Sequence, residues 1–107
     1  MTTFDRREED FENKFAHDEE LRFKAMVRRN RLLGLWAAEK LGLSGEAAED
    51  YAAAVVKADF REKGDGDVFR KVREDFDTAK VEQSDHQIRR TMEELLAEAE
   101  NQIKSGV

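Results

Sequence analysis

The chain has two histidines, His17 and His86, and neither has the company that metal or proton chemistry needs. A zinc-binding helix sets two histidines four residues apart beside a glutamate, and no such pair occurs. His86 falls in the expected first turn of a helix, a surface position. His17 belongs to the polar run His17-Asp18-Glu19-Glu20, where exposure is expected and a pH-sensing junction is the sharper alternative. Asp65-Gly66-Asp67 opens like a calcium loop, but Val68, Phe69 and Arg70 stand where oxygen ligands would be required. No metal is therefore expected. Asp59 is expected near the inner face of a helix, paired with a lysine or arginine from a neighbour. One such carboxylate is no acid–base apparatus. A glycine loop with its phosphate-binding lysine is also missing. What remains for an anion is the amino-terminal end of the last helix, with Arg89 and Arg90 nearby. Asp85 opposes it, so this end suits weak nucleotide contact and not a tight NTPase site.

With catalysis set aside, composition narrows the class. The chain has 107 residues, 41% charged and 39% hydrophobic, with no proline and no cysteine. That length supports one domain with one real core, not a deep cleft between lobes. Few β-branched residues among many Ala, Glu, Lys, Arg and Leu point to helices. The lack of cysteine excludes disulfides, thiolate catalysis and cysteine-ligated zinc. No apolar run is long enough to span a membrane and no secretory signal opens the chain, so a cytoplasmic protein is expected. A net charge of −6 disfavours general nucleic-acid binding. The main basic island, Arg28-Arg29-Asn30-Arg31, reads as a solvated helix face with carboxylate partners.

Periodicity divides the chain into four helices. The first runs from about Thr3 to Leu41, with Phe23, Met26, Leu33, Ala37 and Leu41 expected toward the core. Its last part, RLLGLWAAEKLG, is apolar almost all round, including Leu32, Leu35 and Trp36, as in a helix buried by several neighbours. Gly42 should end it, and Ser44 should cap a second helix, from about Gly45 to Lys63, through its hydroxyl. That helix turns Ala48, Tyr51, Ala52, Val55 and Val56 inward, and its alanines permit close approach. Gly64 and Asp65 suit a C′ residue and an N-cap. Helix three carries Val68, Phe69, Val72 and Phe76. The fourth opens with Ser84-Asp85-His86-Gln87, a capping box, and buries Ile88, Met92, Leu95, Ala99 and Ile103. Short polar turns between four helices imply a compact bundle.

The amino terminus does not fit that core. Phe4, Phe11 and Phe15 recur at spacings of seven and four, which places them within about 40° on a helical wheel. Continued forward, the stripe meets Asp18, Glu19 and Arg22. The apolar positions that resume at Phe23 are rotated by roughly 80° from it. Residues 1–20 also hold eight acids against three bases. A helix of this length is marginal alone in water. Burying three phenylalanines falls short of the cost of ordering the segment. A loose segment that docks on a partner is expected, its interleaved charges setting orientation.

FDRREEDFENKFAHDEELRFK, RLLGLWAAEKLGLSGEAAEDYA, GDGDVFRKVREDF and SDHQIRRTMEELLAEA resemble, in order and over nearly the whole chain, the ζ subunit family of the α-proteobacterial F-type ATP synthase. The resemblance implies an all-α four-helix bundle with a mobile amino-terminal segment that becomes helical on docking. Carried onto this chain, residues 1–19 are the inhibitory segment and residues 20–107 the bundle domain. The implied activity is inhibition of ATP hydrolysis, with no catalysis of its own. The segment would insert as a wedge between catalytic α and β subunits near the central-stalk γ subunit, through Thr3, Phe4, Asp5, Arg6, Arg7, Glu8, Glu9, Phe11, Glu12, Lys14 and Phe15. No cofactor is required, although the resemblance includes weak ADP or ATP binding; an adenine-nucleotide-sensing bundle is the alternative function. The expected protein is a monomer when free, binds no nucleic acid and does not insert into the membrane. Bound to the synthase, it would sit peripherally on the cytoplasmic face of the inner membrane.

Overall fold

A computed structural model describes residues 2–59 and 66–106, with side chains described from Glu19 onward. The order is α1 (Thr2–Lys40), α2 (Gly45–Ala58), α3 (Gly66–Ala79) and α4 (Asp85–Lys104). No strand occurs among the described residues, so the all-α bundle expected from sequence is the fold. None of these helices is long and apolar enough to cross a membrane.

Local chemistry sets the ends. Gly42 takes φ +81°, the left-handed conformation that glycine adopts without steric cost. The Leu43 N–H then reaches the Ala38 carbonyl at 2.8 Å and the Gly42 N–H reaches that of Glu39 at 3.1 Å, the paired bonds of a Schellman motif. Helix α3 closes in the same way, Val81 N–H to Phe76 O at 2.8 Å and Lys80 N–H to Asp77 O at 3.2 Å. There a lysine, Lys80, takes the positive φ of 59°. The capping box of α4 forms as expected: the Gln87 N–H donates to Ser84 Oγ at 3.1 Å and the Ser84 N–H to Gln87 Oε1 at 2.8 Å. Ser44 occupies the N-cap of α2 by its backbone, but its hydroxyl makes no capping bond. The expected roles of Lys63, Gly64 and Asp65 lie outside the described residues.

The core joins Leu33 and Ala37 of α1 to Val55 of α2, Val68, Phe69, Val72 and Phe76 of α3, and Ile88 and Met92 of α4. Trp36 meets Phe76 edge-on, with ring centroids 5.7 Å apart, a favoured aromatic arrangement. The expected face of α3 is buried in full. Leu95 packs only partly buried against the core.

Helix α1 departs from expectation in two places. Phe23 is 62% exposed instead of buried. Within the basic island, Arg29 and Asn30 are 1% and 0% exposed, not solvated. Both departures have one cause. Arg29 lies one turn before Leu33, on the side that α4 covers, whereas Phe23 is turned by about 80° from Leu33 at 100° per residue. The Arg29 Nε donates to Asn30 Oδ1 at 2.8 Å inside this seam.

Candidate functional site

Helix α4 runs back along α1. Arg29 shares a cleft with Met92 and Leu96, and Leu21 and Arg22 share one with Ile103 and Lys104. The end of α4 is thus level with Leu21. Residues 2–20 of α1 continue beyond it for about 28 Å at 1.5 Å per residue. Thr3, Phe4, Asp5, Arg6, Arg7, Glu8, Glu9, Phe11, Glu12, Lys14 and Phe15 all belong to this stretch of backbone; their side chains, and that of His17, lie outside the described part.

Phe23 is exposed, so the buried side of α1 is not rotated from the amino-terminal stripe as the sequence pattern implies. On an unbroken helix, positions 11 and 15 stand about five turns from positions 29 and 33, and Arg29 and Leu33 are both buried. The aromatic positions therefore continue the line of the buried seam. Their separation from the bundle comes from length, since α4 stops short of them.

Where α1 leaves the bundle it makes several polar contacts. Lys24 Nζ pairs with Glu20 at 3.4 Å, and Arg31 Nη2 with Glu49 of α2 at 2.6 Å. The Arg28 Nη1 donates to Gln102 of α4 at 3.3 Å. The last two contacts join the exit of α1 to α2 and α4.

At the other candidate, the start of α4, the cations are engaged locally. The Arg89 guanidinium lies over the Phe69 ring, 4.0 Å from its centroid, which attracts a cation through the ring quadrupole. Arg90 Nε bonds Glu94 at 3.1 Å. Asp85 accepts from Arg73 at 2.9 Å, and Arg73 also reaches Asp77 and the Gln83 carbonyl. The capping box occupies the helix end itself. His86 is exposed on the first turn. Asp59 caps the end of α2 and makes no ion pair among the described residues.

One polar group was not legible in the sequence. The Tyr51 hydroxyl donates to Asp75 Oδ2 at 2.7 Å, and Lys71 Nζ donates to the same oxygen at 3.2 Å while standing 5.1 Å from the Tyr51 ring centroid. Burial and the bond to Asp75 push the phenol pKa well above its ordinary value. Only the four-residue spacing of Lys71 and Asp75 hints at it; the Tyr51 contact crosses from α2 to α3. Among the described residues no group of histidine and carboxylate side chains could hold a metal. The Tyr51–Asp75–Lys71 arrangement joins α2 to α3.

The family model of the ATPase inhibitor subunit zeta matches residues 1–102. Four solved chains match. One of them, a solution NMR structure, is 47% identical, with a TM-score of 0.72 over 81% of this chain and 99% of its own. No curated protein matches. The chain belongs to the ATPase inhibitor subunit zeta family, a regulatory family that acts on the ATP synthase and not an enzyme in its own right.

Proposed function

We propose that the inhibition is exerted by the amino-terminal part of α1, which lodges at a catalytic α/β interface of the F-type ATP synthase beside the central-stalk γ subunit. The observation that carries this reading is the length of α1. Its residues 2–20 run past the end of α4 and bear three phenylalanines on one line. Residues 1–19 are then the inhibitory segment and residues 20–107 the bundle that presents it.

A helix seated there acts as a wedge. It opposes the closure that hydrolytic rotation requires, and no covalent step is needed. The phenylalanines supply apolar anchors. Asp5, Arg6, Arg7, Glu8, Glu9, Glu12 and Lys14 set register and orientation through complementary charge. In the free protein the segment opens readily, because a short helix without tertiary cover is marginal in water. Once docked, the protein sits peripherally on the cytoplasmic face of the membrane that holds the synthase. The deciding measurement is ATP hydrolysis by the isolated catalytic head with and without the full chain. Hydrolysis should fall in a saturable way, and an unchanged rate at saturating protein would refute the reading.

A further inference from the structure

A groove on the bundle lies apart from the line of the amino-terminal aromatics. Val27, Ala53, Val56 and Ile103 line it, and Phe23 stands at its edge. Phe23 is the only large hydrophobic side chain exposed among the described residues. The groove holds about 590 Å³. Along its α1 side, Lys24, Arg28 and Arg31 recur at intervals of four and three residues, which stacks three cations on one flank of the helix. Glu49 is the one acid lining it. Lys24 and Arg31 rest in exposed pairs with Glu20 and Glu49, and pairs of that kind contribute little and exchange readily for a partner's carboxylates.

We propose that this groove is a second docking surface, which takes an acidic amphipathic helix of the synthase's catalytic head. The proposal rests on the reading of the chain as an inhibitor of that enzyme. Its apolar floor follows α1 from Phe23 to Arg31, about 12 Å, enough for two turns of a helix docking through a row of apolar anchors. The cationic flank selects acids beside that row. On α1, positions 23 and 27 are turned by about 100° and 140° from the mean direction of positions 4, 11 and 15 at 100° per residue. A single straight helix therefore cannot cover both surfaces, and the groove needs an occupant of its own. Two-point attachment gives the bundle a mechanical task. Holding it on the head raises the effective concentration of the inhibitory segment at its seat, which offsets the entropy of ordering that segment.

The chain has no cysteine, so Ala53→Cys can carry one photoactivatable cross-linker on the groove wall. The full-length labelled protein, illuminated with the isolated catalytic head, should cross-link to a helix of the head whose exposed face carries acids. Cross-linking to a second copy of this chain, or to a basic or non-helical segment, would overturn the proposal. In the activity arm, Phe23→Ser and Lys24→Glu should each raise the half-inhibiting concentration about tenfold, with melting temperature and maximal inhibition unchanged. The Lys24→Glu effect should shrink at high salt. If wild type inhibits and Phe23→Ser, folded, inhibits at the same concentration, the groove is not a docking surface. If wild type itself fails to inhibit, the inhibitor reading fails instead, and the cross-link pattern still decides the groove.

Discussion

Gly34 of α1 lies directly against Ala52 of α2: a Cβ added at position 34 would fall 2.5 Å from the Ala52 Cα and 3.1 Å from its Cβ. That approach is closer than any side chain permits, and backbone cannot yield as a flexible side chain can. The alanine-rich face of α2 does more than tolerate proximity, since this contact sets the spacing between the two helices. Gly34→Ala should therefore destabilise the bundle by about 1–3 kcal/mol, the usual cost of overpacking, although alanine is the better helix former by roughly 1 kcal/mol. A higher melting temperature would show that α2 moves aside freely.

Removing residues 2–19 should abolish inhibition and leave the bundle folded, because α4 ends level with Leu21 and the first buried apolar side chain described on α1 is Ala25. Thermal melting beside the hydrolysis assay checks both halves. A large loss of stability on truncation would make the segment part of the core.

Phe4→Ala, Phe11→Ala and Phe15→Ala combined should weaken binding to the catalytic head while sparing the free bundle. Each phenylalanine that enters a dry pocket should cost about 2 kcal/mol or more, and alanine's helix propensity removes backbone preference as an explanation. Arg6→Glu with Arg7→Glu should weaken binding with a marked dependence on ionic strength. Inhibition by the triple variant at the wild-type concentration would move the contact elsewhere.

Lys80→Gly should stabilise the protein by about 0.5–1 kcal/mol. A side chain in the left-handed region costs roughly 1–2 kcal/mol, and part of that relief is lost to the greater freedom of glycine in the unfolded chain. Chemical denaturation of the two proteins decides the sign. A loss of stability would mean that the Lys80 side chain contributes more than its backbone costs.

Tyr51 makes stability depend on alkaline pH. Its phenol holds its proton more tightly in the folded protein, through burial and the bond to Asp75. The contribution is complete below the ordinary tyrosine value of about 10. It is lost as pH rises above that value, because the unfolded chain gives up its proton first. Tyr51→Phe should fall less steeply than wild type in melting temperature above pH 10. Parallel profiles would place the alkaline loss on the lysines.

Features governed by neighbouring residues were legible in the sequence. The 3.6-residue period gave the buried set Val68, Phe69, Val72 and Phe76. The Ser84 and Gln87 pair marked the start of α4, and Gly42 the end of α1. Each depends on residues within a turn or two, which is also why the aromatic line at positions 4, 11 and 15 could be read as a face. The left-handed Lys80 was not legible, because that Schellman turn formed without its usual glycine.

The sequence by itself determined the four helices, three of their four faces and the amino-terminal aromatic line. Only the tertiary structure decided which side of α1 is buried. Residues 31–42 are apolar almost all round, so several directions on the wheel satisfy the pattern equally. The choice fell to the positions of α2 and α4, which buried Arg29 and Asn30 and left Phe23 in water. Hydrophobic phase is a property of one helix, whereas the place where a neighbouring helix stops is a property of the assembled chain. Here α4 stops at the level of Leu21, and the aromatic line runs on past it.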